Sequence, residues 1–252
     1  MSEVILQVDG LRLRRNAESI NLSIRSAEIV GLAGLDGHGQ EDFLETLYGL
    51  RLPVAGRVIV ETAHGPTLIK NAATAVQAGV VYLPRNRKTQ GILPTMTVLD
   101  NFSIATMGRR GQWGRWGIVN LRAHRTALAG YRERLSMVFA SPGAPITSLS
   151  GGNQQKVLLA RWMALNPRLM LLNDPTRGVD LPTRMKLYEI FREMVAQEGT
   201  TLVLLSTEIE EILQLCDRTL VFREGSIFAE LPRDTITMKH VIAAMFGRDY
   251  EG

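Results

Sequence analysis

Between Leu149 and Asp180 the sequence reads LSGGNQQKVLLARWMALNPRLMLLNDPTRGVD, and few folds accommodate that order of parts. Ser150, Gly151 and Gly152 precede a run with helical spacing through Val157, Leu158, Ala160, Arg161, Trp162, Ala164 and Leu165. The apolar run Leu169 to Leu172 then reads as a buried strand, and Pro175 marks a turn after it. A helix that begins at a serine and two glycines leaves backbone N–H groups unpaired, and with the Ser150 hydroxyl such a start can hold an anion. Taken alone, the same residues fit a Ser-Gly N-cap on a core helix about equally well.

A second strand–glycine–helix passage lies upstream. Glu28 to Gly34 reads as a buried strand, Gly34, Leu35, Asp36, Gly37, His38, Gly39, Gln40 and Glu41 as a loop, and Asp42 to Leu50 as a helix. The layout is that of a phosphate-binding loop, G-x-x-x-x-G-K-[ST], in its required context. The glycines are in place, but Gln40 stands where a lysine would neutralise phosphate and Glu41 where a hydroxyl would meet Mg²⁺. These two exchanges make the loop about two charge units more negative beside a ligand that is itself highly negative, so weak nucleotide binding is expected.

LSGGNQQK resembles the signature motif of ABC-transporter ATPases, and its extended spelling is similar to the carbohydrate and nucleoside importer branch. The segment through Asn173, Asp174 and Pro175 sits where that family has Walker B, and Thr176-Arg177-Gly178-Val179-Asp180 resembles its D-loop. The resemblance runs from about Val4 to about Gly247 and is greatest for the second half of tandem sugar-importer ATPase subunits, proteins about twice this length. A natural separate chain and an excised half are equally consistent with the sequence. The implied fold is α/β, a P-loop NTPase (RecA-like) parallel-sheet core with an antiparallel β layer and an inserted helical subdomain. Residues 1–252 would form one such ATPase domain, with 1–84 and 148–252 as core and β layer and 85–147 as the helical subdomain.

The resemblance also assigns roles. ATP and Mg²⁺ are the implied cofactors, and the implied partners are a second ATPase half, a membrane-spanning permease and, indirectly, a solute-binding protein. Asn173 takes the place of the Mg²⁺-organising aspartate, although an amide is a poor ligand for a hard cation. Asp174 takes that of the general-base glutamate; it is one methylene shorter, and displacement on the order of 1 Å can cost roughly 10²-fold in rate. Thr207 falls at the switch histidine, where its hydroxyl can bond a phosphate but carries no charge. Arg85 falls at the glutamine of the Q-loop; it cannot ligate a metal, and both a phosphate contact and a solvated basic loop over Pro84 to Lys88 stand as readings. The aromatic on which the family often stacks adenine has no counterpart in Leu11 to Arg15.

Gln40, Glu41, Arg85, Asn173, Asp174 and Thr207 are thus the positions that in the family act on the domain's own nucleotide, and all depart. Ser150, Gly151, Gly152 and Gln154, with Gly178 and Asp180, are those that reach a partner's nucleotide across a head-to-tail dimer, and they are kept. The expectation is a domain that holds ATP weakly itself and completes a site on another half. An autonomous ATPase in a homodimer and a non-catalytic permease-binding module are the competing readings.

Composition adds exclusions. Twenty-nine Lys and Arg against 25 Asp and Glu leave only +4, too little to argue for nucleic acid. A nucleic-acid ATPase would be expected to carry a second domain or a basic tail, and neither is visible. The lone Cys216 excludes an internal disulfide, and four scattered histidines lack metal-ligand spacing. No apolar run approaches the roughly 18 residues that span a bilayer. The start has neither a basic nor an apolar leader region. A cytoplasmic location, peripheral on the inner face of the membrane, is the expectation.

Elsewhere the patterning predicts strands at 4–8, 11–13, 20–24, 58–60, 68–69 and 79–84, and helices at 72–78, 97–102 and 122–140. A helix over 182–197, a strand over 200–205, a helix over 208–215, a hairpin turning at Glu224-Gly225 and a helix over 238–246 complete the chain. Arg109 to Gly117 interleaves cations, tryptophans and glycines, which fits a mobile loop or a single-stranded nucleic-acid contact.

Overall fold

A computed structural model of the chain describes residues 3–107 and 120–248. The basic, tryptophan-containing stretch from Arg109 to Gly117 lies outside the described residues. In chain order the elements are β1 (Val4–Arg12), β2 (Ile20–Arg25), β3 (Ile29–Gly34), α1 (Gln40–Tyr48), β4 (Ala55–Thr62), β5 (Gly65–Leu68), α2 (Ala72–Gln77) and β6 (Val80–Leu83). A π-helical turn, Arg87–Gly91, leads to α3 (Val98–Ser103), α4 (Leu121–Arg134), a 3-10 turn, Ile146–Ser148, and α5 (Gly151–Met163). The chain ends with β7 (Leu169–Asn173), α6 (Leu181–Glu198), β8 (Thr201–Leu205), α7 (Ile209–Leu215), β9 (Arg218–Arg223), β10 (Ser226–Pro232) and α8 (Met238–Met245).

The chain divides into two compact units, the first made of residues 1–82, 168–174 and 191–252. Its main sheet has the order β10-β9-β3-β8-β7-β6, with β3 parallel to both β8 and β9 and β7 parallel to β8. β7 and β8 are buried along their whole length, which is why they read as unbroken apolar runs. A second, antiparallel sheet has the order β2-β1-β4-β5, and the alternating burial of β2 is that of a layer with one face in solvent. Leu6, Ile24 and Val60 from this layer share one apolar core with Phe43, Leu44 and Leu47 of α1 and Phe222 of β9.

Several boundaries differ from the sequence expectation. The strands expected at 4–8 and 11–13 are one strand, because Gly10 at φ 56° forms a bulge and its N–H is taken by Asn21 Oδ1 at 2.8 Å. Helix α1 starts at Gln40 and stops at Tyr48, because Gly39 (φ 106°) and Gly49 (φ 76°) cap it in left-handed conformations. A Cβ on Gly49 would lie 2.6 Å from the Asn71 backbone, so the stop is also steric.

The second unit, residues 83–167 and 175–190, contains α3, α4 and α5. Thr97 and Asp100 cap α3 reciprocally, their side chains 2.6 Å apart. Helix α4 ends at Arg134 rather than near 140, because Ser136 turns to φ 48° and its carbonyl accepts from Lys156 Nζ at 3.0 Å. The buried Arg161 of α5 ties this unit together, donating to Asn101 O, to Asn101 Oδ1 at 3.0 Å and to Gly91 O at 2.8 Å. Arg161→Leu is expected to destabilise by about 3 kcal/mol, since it removes three buried charge-assisted bonds, although Asn101 Oδ1 keeps the Leu93 N–H. Urea titration checks this; a loss below about 1 kcal/mol would show that the acceptors find other donors.

Candidate functional site

The residues singled out by the sequence gather into two clusters, each within one unit. In the first unit the glycine loop joins β3 to α1. Gln40 is buried and turns its amide back into the loop, donating to Gly34 O at 3.2 Å and Leu35 O at 2.9 Å. Gly37 O accepts from Arg14 Nη2 at 2.7 Å and His38 O from the Gly225 N–H at 2.8 Å, so the loop is held by donors of its own chain. Asp36 and Gly37 are exposed at its tip.

The ends of β7 and β8 meet this loop through side chains. Asn173, 1% exposed, donates to Glu41 Oε1 at 2.9 Å and to the Tyr82 hydroxyl at 3.1 Å. The next residue, Asp174, sits at φ 47°, a left-handed conformation that aspartate tolerates better than most residues. Its N–H is fixed by Leu205 O at 2.8 Å, and its Oδ1 accepts from Thr207 N at 2.7 Å and Thr207 Oγ1 at 3.0 Å. Two hydrogen-bonded chains therefore leave consecutive residues of β7, Asn173 to Glu41 and Tyr82, and Asp174 to Thr207. No lysine or arginine takes part in these bonds. The amide oxygens Gln40 Oε1 and Asn173 Oδ1 are buried without a hydrogen-bond donor. Among the described residues no group of three or more His, Cys, Asp or Glu is placed to hold a metal.

Tyr82 was not apparent from sequence as part of this cluster; its only signal is a hydroxyl inside an apolar strand. Burial pushes its pKa up to about 12, Glu45 and Glu41 adding to the rise and the Asn173 bond opposing it. Because the folded value lies above the ordinary 10, the stabilisation is complete below pH 10 and is lost as pH climbs toward 12. A pH titration of tyrosinate absorbance should therefore contain a component delayed to about pH 12 that Tyr82→Phe removes.

In the second unit, Ser150 caps α5 as the sequence suggested. Its Oγ accepts from Asn153 N at 3.4 Å and from Asn153 Nδ2 at 3.0 Å. The rest of the extended spelling serves the backbone. Asn153 Oδ1 accepts from Val138 N at 2.7 Å, and Gln154 donates to Ile146 O and Leu149 O, both at 3.3 Å. Gln155 donates to Pro175 O at 2.6 Å, tying the helix to the loop that carries Gly178 and Asp180. Asp180 Oδ1 accepts from Thr183 N at 3.0 Å at the start of α6, and bonds from Thr183 hold its carboxyl below the usual range.

In the connection from Pro84 to Lys88, Asn86 and Lys88 are exposed, as a solvated basic loop would have them. Arg85 and Arg87 are both half-buried, and Arg87, at the start of the π-helical turn, folds onto the opening of α5. Its Nη1 donates to Arg177 O at 2.8 Å, and Nη2 lies only 2.4 Å from where a Cβ on Gly151 would be. Gly178, at φ 66°, would bring a Cβ to 3.7 Å from the same guanidinium. Gly151 thus makes room for an arginine, whereas Gly178 is favoured by its left-handed backbone. Burial lowers the pKa of Arg87 below the ordinary arginine value. Arg87, Lys88, Ile92, Leu149, Gly151 and Gln154 line a cavity of about 480 Å³.

Residues 17–177 match the family described as ABC transporter. The chain is 35% identical over 98% of its length to the putative ribose/galactose/methyl galactoside import ATP-binding protein 3 of Agrobacterium fabrum, covering 48% of that protein. It is 37% identical over 97% of its length to ribose import ATP-binding protein RbsA 2 of Rubrobacter xylanophilus, covering 46%. The chain therefore spans about half the length of the curated relatives it matches. Among solved structures, the ADP conformation of MJ1267, an ATP-binding cassette of an ABC transporter, superposes with TM-score 0.78 at 20% identity, covering 98% of this chain and all of the other. The dimeric post-hydrolysis state of the ATP-binding cassette MJ0796, bound to ADP and Pi, gives TM-score 0.76 at 19% identity, covering 91% and 99%. The fold is that of the P-loop ATPase core with an antiparallel layer and helical insertions.

Proposed function

The chain belongs to the ABC transporter family, and on that footing we propose that it is an ATP-binding half of a sugar importer whose working nucleotide is held by a partner half. Its own loop binds Mg-ATP weakly. The names of its relatives, ribose and galactose import ATP-binding proteins, support the solute class. Their double length supports a partner half joined to it or paired with it. No described helix is long and apolar enough to cross a membrane. The reading sets the domain at the cytoplasmic face, acting on a permease.

The observation that carries the proposal is the Glu41–Asn173 hydrogen bond. A carboxylate and an amide occupy each other at the positions the family gives to a hydroxyl and a carboxylate on Mg²⁺. Beside them Gln40 offers the loop a buried, undonated amide oxygen where a cation belongs. Phosphate brings acceptors only, so these oxygens repel it rather than bind it. The residues present do not fit Mg-ATP in this loop, and no catalytic step is assigned to it. Ser150, Gly151, Gly152, Gly178 and Asp180 are the residues proposed to act on the partner's nucleotide, with Gln154 bracing the turn before them. Permease rearrangement would draw on hydrolysis at that shared site.

Calorimetric titration of the isolated chain with Mg-ATP tests the proposal, followed by turnover measurements on the chain alone and in the assembled transporter. Weak binding alone and hydrolysis only in the assembly are expected; tight binding and brisk turnover by the chain alone would overturn it. The Asp174–Thr207 pair, a carboxylate oriented beside a hydroxyl, supports a second reading as an autonomous ATPase in a homodimer. Turnover by the isolated chain that Asp174→Asn abolishes would decide for it.

A further inference from the structure

We propose that Arg87 is a phosphate-contacting residue supplied to the partner half's nucleotide, a cation laid over Gly151 of the signature turn. The inference rests on the reading that a partner's ATP sits against Ser150 and Gly151. Neither the helix start nor the glycines alone call for this. Arg87 does, because among the described residues no carboxylate balances its charge. Its one hydrogen bond goes to a carbonyl, Arg177 O at 2.8 Å, its Nε is buried without an acceptor, and among the described residues no carboxylate pairs with it. A half-buried guanidinium that faces no carboxylate keeps its remaining N–H donors available to an incoming anion.

Its placement indicates which anion. The fork lies over Gly151 so closely that any side chain there would displace it, and it borders Gly178 of the following loop. Lys88 and Arg87 both line the cavity that opens beside Gly151. A phosphoryl group approaching the N–H groups at the start of α5 would meet both the helix end and a planar fork suited to two phosphate oxygens. In hydrolysis, water oxygen forms a bond to the γ-phosphorus while the bond to the β–γ bridging oxygen breaks. The electron pair leaves on ADP, and the products are ADP, inorganic phosphate and a proton. Negative charge on the transferring oxygens is stabilised by a fixed guanidinium at that moment more than in the ground state. Gly151 then has two tasks, bringing the backbone close to phosphate and seating the arginine.

The test uses the transporter as it assembles in the cell, purified through a tag on this chain, with Arg87→Gln, Arg87→Lys and Ser150→Arg compared. Arg87→Gln is expected to lower kcat and the affinity for ADP–vanadate by about 10²-fold, with binding of a non-hydrolysable ATP analogue changed by no more than about threefold. Arg87→Lys should recover part of the loss. A purely structural role would move analogue and vanadate affinities together. If Arg87→Gln fails to assemble, Arg87→Lys decides: selective loss of vanadate affinity supports the inference, and wild-type values for both ligands overturn it. If Arg87→Gln turns over normally while Ser150→Arg is inactive, the role of Arg87 falls and the shared site stands. If Ser150→Arg is also fully active, the proposed function itself falls.

Discussion

Ser150→Arg is expected to lower ATP turnover of the assembled transporter by about 10²- to 10³-fold while leaving the isolated chain folded. The two halves of that expectation have separate causes. Losing the Ser150 cap removes the acceptor for Asn153 N and Nδ2, which costs about 1 kcal/mol and is too little to unfold a domain. The turn keeps its other ties, Gln154 to Ile146 O and Leu149 O and Gln155 to Pro175 O. Introducing a long cation beside Arg87 and Lys88, however, fills the approach to the α5 N–H groups with a side chain that has to go somewhere. Ser150→Ala separates the effects: it loses the same cap without blocking the approach and should fall by about tenfold or less. Turnover is measured as phosphate release from the assembly, and melting temperature on the isolated chain. Equal losses for alanine and arginine would show that the cap, not access to a nucleotide, is what matters.

The parts of the chain legible from sequence are those whose physics is local. β7 and β8 announce themselves as apolar runs because both faces are buried, and the hairpin turn at Glu224-Gly225 because both residues take positive φ. Ser150 is legible as a cap for the same reason. Boundaries were misplaced where a single residue leaves the regular conformation, as Ser136 does in ending α4 six residues before the apolar pattern suggests. What could not be read were contacts between distant segments. Nothing near Arg87 in sequence says that it reaches Arg177, ninety residues on, and Asn153 and Lys156 look like exposed helix residues until Val138 and Ser136 are beside them. The family resemblance supplied names for Gln40, Glu41, Asn173 and Asp174. The hydrogen bonds that now occupy them, and the part of Tyr82 in those bonds, came only from the fold.

Those hydrogen bonds lead to the converse expectation, that the loop's weakness can be repaired. Gln40→Lys, Glu41→Thr and Asn173→Asp introduced together are expected to raise affinity for Mg-ATP by about 10³-fold, since a cation is gained at 40 and the carboxylate is moved from 41, beside the phosphates, to 173, where it can organise Mg²⁺. The three must be combined. Glu41→Thr alone takes the carboxylate from Asn173 Nδ2, which keeps the Tyr82 hydroxyl, so it should relieve repulsion without creating a metal site. Asn173→Asp alone places a second carboxylate against Glu41 in a buried setting and should destabilise the fold before it helps binding. With threonine at 41 the aspartate regains a donor, and the lysine at 40, freed from the role of tying Gly34 O and Leu35 O, supplies the charge. Calorimetry on the single, double and triple variants measures the coupling directly: the triple should exceed the sum of its parts. A triple variant that binds no better than the parent would mean the loop backbone, not its side chains, prevents binding, and the division of labour between two halves would lose its physical basis.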